Sequence, residues 1–498
     1  MSGATGPHIL LVVADQLAAN ALPAYGNDVV RAPTLERLGA DGVVFERALC
    51  ASPLCAPSRG SMMTGLLPSR TGAVDNAGEL PAAVPTFAHH LRVAGYRTVL
   101  AGKMHFIGPD QLHGFEERPL PDVYPAGMDW IPDWRLEDDE RLPWYHDLSS
   151  VFRAGPVRAT LQLAYDEEVV TQARRAIAQT ARAPSRPLLL VASFAHPHDP
   201  YEVPAEYWER YEGVQIDAPE FAEPPEPLDP PTRRLRAMLG AERTPVSADR
   251  VLAARRGYYG AISLVDDHVA SLLATLAEHG LEDDTIVVVA SDHGDMLGER
   301  GLWYKMAPFE NSIRVPLIVH APGRFAAARV SRSVSLLDLA PTLVDLAGGA
   351  LPHGLDGVSL ADALAGGALP RRDLPLEYLA EGVRAAQVTL VSGELKLVRG
   401  LGEPDVVYDV ARDPGERVNL AGDPERRDEV ASLAAAVDAR WDLAALDREV
   451  RASQKRRRLV ARALATGRVT PWDLPTGDGP TIRTGEDFWE ALERARRI

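Results

Sequence analysis

The sequence predicts an α/β protein: a large domain with a mostly parallel sheet flanked by helices, then a smaller C-terminal α+β domain with an antiparallel sheet. Three observations carry this. Short unbroken apolar runs at residues 8–14 (HILLVVA), 187–194 (PLLLVASF) and 285–290 (TIVVVA) have the texture of strands buried on both faces. Amphipathic helical segments alternate with them, as a parallel sheet requires. After about Arg372 the texture changes: residues 387–398 alternate around Ser392-Gly393 as a β-hairpin does, and residues 406–410 give another short strand.

Taken in order, the strand at 8–14 ends in Asp15-Gln16, which puts a carboxylate where open α/β sheets bind ligands. Residues 32–42 read as a helix with Leu35 and Leu38 on one face, and the segment 50–65 (CASPLCAPSRGSMMTG) follows, with Cys55 at a loop-to-helix junction. Residues 85–95 form a second helix, and the strand at 96–101 delivers Lys103 and His105. A helix over 163–181 precedes the strand at 187–194, which runs into His196-Pro197-His198-Asp199. Residues 212–231 are Pro-rich and acidic and read as a surface excursion or lid. A helix over 251–280 leads to the strand at 285–290 and to Ser291-Asp292-His293-Gly294-Asp295. A strand at 316–320 and a helix over 334–346 complete the large domain, giving boundaries of 1–372, 373–450 and a tail of 451–498. In the small domain Asp423-Pro424 caps a helix expected to run to about Leu446. The basic run 455–458 reads as a solvated helix face or a contact between subunits, and the tail 471–498 as a segment packed on a neighbouring copy in a homodimer or homotetramer.

Composition narrows the partners. A formal net charge of −17 disfavours nucleic acid and anionic membranes as partners, because both need a basic surface. No apolar stretch approaches the roughly 20 residues of a membrane span. Two cysteines in 498 residues make no disulfide framework, and the N-terminus has no charged leader, so a reducing, cytoplasmic setting is expected.

The strand-end clusters carry the chemistry. Asp15, Asp292 and His293, with Gln16 as a neutral oxygen donor, make a site for a hard cation if the strand ends converge. Arg59, Lys103 and Lys305 add fixed positive charges, and His105 and His198 add imidazoles, a set that neutralises a tetrahedral anion and moves its protons. Each residue alone has a bland alternative as a cap, a turn residue or a solvated side chain; their shared placement at strand ends is what weighs against it. Cys50 is read as a structural thiol.

Cys55-Ala56-Pro57-Ser58-Arg59, followed by Thr64-Gly65, resembles the signature of the type I sulfatases, in which the cysteine is oxidised to formylglycine. Other landmarks of that family appear in order: Asp15, Gly102-Lys103 with His105, His196-Pro197-His198, the SDHGD of 291–295, and VVYDVARDPGERVNLA at 406–421. The chain departs from the common pattern at Gln16 and His293, where many members carry Asp and Asn. Within the family, GKMHFIGPDQLHGFEERP at 102–119, FAHPHDPY at 194–201 and SDHGDMLGERGLWYKM at 291–306 resemble the branch that acts on choline-O-sulfate.

The resemblance implies an alkaline-phosphatase-like fold, formylglycine at position 55, and Ca²⁺, with Mg²⁺ or Mn²⁺ as alternatives, held by Asp15, Gln16, position 55, Asp292 and His293. It implies an enzyme that installs the formylglycine as a maturation partner. Position 55 is then the nucleophile, Arg59, Lys103 and Lys305 hold the sulfate oxygens, His198 assists the leaving alcohol and His105 the release of sulfate. A quaternary ammonium needs aromatic faces and a carboxylate. Trp130, Trp134, Trp144 and Tyr145 crowd into residues 124–146, so a cage is expected there, with Trp130 and His146 as first choices, Asn76 as a polar contact, Glu377 as counter-charge and Asp473 as a weaker candidate. Competing readings are a hydrolase of other alkyl or aryl sulfates, a phosphonate monoester or phosphodiester hydrolase, and an osmolyte-binding sulfatase without activity.

Overall fold

In the computed structural model, which describes residues 6–137, 140–475 and 480–498, the large sheet has seven strands. In chain order they are β1 (His8–Asp15), β2 (Val43–Phe45), β3 (Arg97–Gly102), β4 (Leu188–Pro197), β5 (Thr285–Ala290), β6 (Leu317–His320) and β7 (Ala328–Val330). Their spatial order is β7-β2-β6-β5-β1-β4-β3. The four neighbours β5, β1, β4 and β3 run parallel, so their C-terminal ends share one edge; β6 is antiparallel to both of its neighbours.

The apolar runs are unbroken because both faces are covered. In β1, Leu10, Val12 and Ala14 belong to one core and Ile9, Leu11 and Val13 to the other, as the two-residue period of a strand dictates. Helices α1 (Pro33–Asp41), α4 (Leu161–Arg182) and α5 (Ala248–Glu278) cover the first face. Helices α2 (Cys55–Thr64), α3 (Phe87–Val93) and α6 (Leu339–Leu346) cover the second. Although α5 is long and apolar enough to match a membrane span, it packs against α4 and β4 and buries Tyr258, Ile262, Val265 and Val269.

Two helices differ from expectation. The segment at 334–346 opens with an extended pair, Val334–Ser335, and a 3-10 turn before α6, because Ser335 and Asp338 cap each other. The helix expected from Asp423 to about Leu446 is two helices, α7 (Arg427–Arg440) and α8 (Leu443–Leu464). Trp441 is extended, and the Asp442 carboxylate restarts the helix by accepting from Ala445 N at 2.9 Å.

The small sheet comprises β8 (Leu374–Tyr378), β9 (Gln387–Ser392), β10 (Leu395–Gly400) and β11 (Val406–Asp409), all antiparallel, with α7 across it. Lys396, fully buried, pins it to the large domain: its ammonium donates to Pro308 O at 2.7 Å and pairs with Glu310 and Glu416. Along α8 the basic run is not uniformly solvated. Arg457 turns inward and holds both carboxylate oxygens of buried Asp75 at 2.6 Å, and Arg458 donates to Pro132 O. The tail lies against the large domain of its own chain. Ile482 N donates to Val123 O, Arg497 N donates to Ala159 O, and helix α9 (Phe488–Ala495) follows Asp487 as its cap.

Candidate active site

The parallel ends of β5, β1, β4 and β3 deliver Asp292, Asp15, His198 and Lys103 to one place. A register shift in the β1–β4 ladder after Ala14 pairs Asp15 with Pro197, and Gln16 follows with a positive φ of 65°. His105, Tyr304 and Met306 also adopt positive φ, so backbone strain gathers at this edge, as it does at functional sites.

Cys55 opens α2 and is buried. Its sulfur lies 3.2 Å from His293 Nε2 and 3.8 Å from Asp15 Oδ1. Among the described residues, Asp15, Cys55, Asp292 and His293 each offer one ligand atom, all within 4.8 Å of one another. Two carboxylates and an imidazole converging on one point fit a divalent cation. Gln16 stands at the edge of this cluster; its backbone N–H donates to Asp292 Oδ1 at 3.1 Å and its Oε1 accepts from Lys305 Nζ at 2.6 Å.

Cations surround the carboxylates. Arg59 Nε donates to Asp292 Oδ2 at 2.7 Å, and Arg59 Nη1 is held by Lys103 O and Ser193 Oγ. Its Nη2 is buried and has no hydrogen-bond partner among the described residues, leaving a donor for an incoming oxygen. Lys103 pairs with Asp15 and lies over the Tyr124 ring. Burial opposes ionisation of Asp15 and Asp292, but Lys103 and Arg59 beside the first, and Arg59 beside the second, hold both pKa values below the usual range. Burial and then the neighbouring Asp15 push the Cys55 thiol up to about 12, so the thiol is protonated at neutral pH.

Both predicted histidines sit here. His105 is held through its backbone N–H by Asp122 Oδ2 at 2.6 Å, and its two ring nitrogens are buried without partners among the described residues. Burial, aided by Lys103, lowers its pKa to about 3, so the ring is neutral. His198 Nδ1 faces Asp199 O at 2.8 Å, an acceptor, so its Nε2 carries the lone pair that meets Lys305 Nζ at 2.6 Å.

Beyond these groups the wall is aromatic. Trp130 packs at 5.5 Å from the His105 ring, 5.3 Å from Tyr124 and 5.5 Å from Phe488. His146 lies 6.1 Å from His198 and 5.1 Å from Tyr304. Asn76 Oδ1 accepts from Ala56 N at 3.0 Å and so braces the start of α2. Three of the expected aromatics make other contacts. Trp134 donates from its indole to Ala380 O, the residue before Glu381, and Trp144 and Tyr145 pack on each other. Asp473 is spent on backbone, accepting from Ala126 N and Thr484 N.

The counter-charge is also corrected. Glu377 is engaged by Ser69 N, Ser69 Oγ and Trp441 Nε1, at 2.7 to 2.8 Å, so three donors already compete for its carboxylate. Four residues on, Glu381 is 1% exposed, with both carboxylate oxygens unpartnered among the described residues. Burial raises its pKa to about 7 with help from Asp75, while its own backbone N–H and Lys305 pull the other way. Sequence reasoning also missed Tyr124, Asp122 and Phe488; the aromatic Phe488-Trp489 pair in an otherwise polar tail was the one local signal for the last.

This edge of cation-binding carboxylates, anion-holding cations and a helix-borne Cys55 on an alkaline-phosphatase-like sheet belongs to the sulfuric ester hydrolases. The profile described as Sulfatase matches residues 7–350, and the chain belongs to the sulfatase family. A profile for the N-sulphoglucosamine sulphohydrolase C-terminal region matches 298–441, and one for the choline sulfatase C-terminus matches 448–497. The chain is 42% identical to a choline-sulfatase of Rhizobium meliloti (strain 1021) over 478 residues, 94% of this chain and 93% of the relative. A structure solved in complex with D-glucosamine-2-N,6-O-disulfate has a TM-score of 0.72 at 21% identity, covering 91% of this chain and 98% of that one. The phosphonate monoester hydrolase of Agrobacterium radiobacter has a TM-score of 0.70 at 22% identity, covering 90% and 96%. These two likenesses concern the fold.

Proposed function

We propose that the protein hydrolyses choline-O-sulfate to choline and inorganic sulfate. The single observation that carries this choice of substrate is Glu381, a buried carboxylate without a partner among the described residues, within the field of the sulfate-side cation Lys305. A sulfate ester of a neutral alcohol has no use for it; a zwitterion with a quaternary ammonium does. Trp130, Tyr124 and Phe488 pack on one another beside His105 and offer ring faces, each worth roughly 0.5 to 2 kcal/mol to a cation.

Arg59 Nη2, Lys103 and Lys305 bind and orient the sulfate group. Formylglycine at position 55, as its hydrate, supplies an oxygen nucleophile and a second hydroxyl that lets sulfate leave, chemistry beyond a buried protonated thiol. A divalent cation held by Asp15, Asp292 and His293, with Gln16 at their edge, supplies Lewis-acid stabilisation of charge on oxygen; Ca²⁺, Mg²⁺ and Mn²⁺ all suit this donor set. His105, with both ring nitrogens buried and unpartnered among the described residues, is the imidazole assigned to the proton of position 55. His198 Nε2, which meets Lys305 Nζ at 2.6 Å, stands beside the sulfate-holding ammonium as the group that assists the departing choline oxygen. Two unpaired buried thiols fit a reducing compartment, and the reading includes maturation by a formylglycine-installing enzyme, a cytoplasmic location and a homo-oligomeric state.

The test compares choline-O-sulfate with its neutral isostere, 3,3-dimethylbutyl sulfate, on wild type and Glu381→Gln. The proposal expects KM for choline-O-sulfate to rise about tenfold in the variant, the ratio set by ~1.4 kcal/mol of lost charge pairing. It expects the isostere to be unaffected. Equal effects on both substrates, or none, would overturn the choice of substrate.

A further inference from the structure

Asp295 lies two residues beyond His293 and is fully buried, and no step above uses it. Four donors occupy its carboxylate. Oδ1 accepts from Leu297 N at 2.9 Å and Tyr304 N at 3.0 Å; Oδ2 accepts from Tyr201 OH at 2.8 Å and Gln16 Nε2 at 2.7 Å. Gln16 Nε2 also lies 3.4 Å from Asp199 Oδ1. The other end of the Gln16 amide, Oε1, accepts from Lys305 Nζ. An ammonium only donates and a carboxylate only accepts, so both partners demand the same orientation of the amide. The Gln16 backbone is pinned as well, its N–H on Asp292 Oδ1 and its carbonyl on Tyr258 OH at 2.6 Å. A half-turn of the side-chain amide is the one freedom left, and it would set NH₂ against the Lys305 ammonium and C=O against Asp295.

We infer that Asp295 is a positioning residue that locks the Gln16 amide with Oε1 turned toward Lys305, at the edge of the Asp15–Asp292–His293 cluster that the Gln16 backbone N–H joins. The inference rests on the reading that this cluster holds a divalent cation. Asp295→Asn keeps the shape but reverses the demand. Its oxygen stays on Leu297 N and Tyr304 N, its Nδ2 meets Gln16 Nε2, and Tyr201 OH can rotate to accept. The Gln16 amide is then held only by Lys305 and the longer contact to Asp199, and each turn it makes sets N–H groups against the ammonium beside the cluster. Adding Gln16→Glu restores an acceptor on both sides and moves one negative charge from position 295 to 16 without changing the total.

The test is calorimetric titration of wild type, D295N and D295N/Q16E with Mn²⁺ alone, beside thermal unfolding. The expected result is an affinity loss of about tenfold or more in D295N, the size typical of groups that orient metal ligands, with the double variant back at wild-type strength or tighter. An unchanged D295N, or a double variant no tighter than D295N, overturns the inference, because a role confined to packing is not repaired by a charge exchange. If D295N fails to fold, a folded, Mn²⁺-binding double variant supports it and an unfolded one overturns it. Wild type separates the two readings: no Mn²⁺ binding there overturns the cation assignment together with this inference, whereas tight binding by wild type and D295N alike overturns the inference alone.

Discussion

Glu377 and Glu381 sit four residues apart in LEYLAEG, and their difference is decided by what surrounds them. The first meets three donors from Ser69 and Trp441; the second meets none among the described residues and titrates near 7. Because the ionised form is the one that attracts a quaternary ammonium, affinity is full above pH 7 and falls as pH drops through 7. KM for choline-O-sulfate should therefore rise on the acid side in wild type and become flat in Glu381→Gln, as steady-state kinetics from pH 6 to 8 will read. Glu377→Gln should leave that profile in place, since its carboxylate faces Ser69 and Trp441. Spacing alone cannot choose between two carboxylates in one strand-and-turn segment, because the donors that engage Glu377 arrive from positions 69 and 441. Asp15, Asp292, Lys103 and His198 were legible for the opposite reason: each follows directly on an apolar run whose own texture announces a strand end.

At the level of elements, β3 approaches β4 so closely at Gly102 that a Cβ there would lie 2.0 Å from Ser193 O, and φ is +113°. Gly102→Ala should cost about 1–3 kcal/mol in strain alone. It should also lower kcat, since Ser193 Oγ holds Arg59 and the next residue is Lys103. Thermal unfolding and initial rates on the purified variant check both. Helix α8 makes a second link. Within the 455–458 run it is Arg457 that pairs with Asp75, beside Asn76 and the start of α2. Removing it with Arg457→Ala leaves a buried carboxylate without its partner, a loss of roughly 3–5 kcal/mol that urea unfolding will measure. The hairpin and the core strands were readable from period and turn chemistry. The break between α7 and α8 was not, because the apolar spacing continues across Trp441 and only the cap at Asp442 ends one helix and begins the next.

Across the whole molecule, the site is closed by groups far apart in sequence: strand ends from the first 300 residues, Glu381 from the small domain and Phe488 from the tail. Phe488 contacts both Trp130 and Tyr124, so Phe488→Ala should raise KM for choline-O-sulfate roughly two- to tenfold, the span of ~0.5–1.5 kcal/mol for an aromatic pair. The central claim concerns Cys55, where a buried thiol held protonated stands beside Asp15, Asp292 and His293 and within the field of Lys103 and Lys305. Its most direct test is the mass of the Cys55 peptide cut from protein that is releasing sulfate from choline-O-sulfate. The account predicts a species about 18 Da lighter than the thiol peptide, the balance of sulfur and two hydrogens lost and one oxygen gained. Full turnover by protein whose Cys55 is entirely thiol would contradict it.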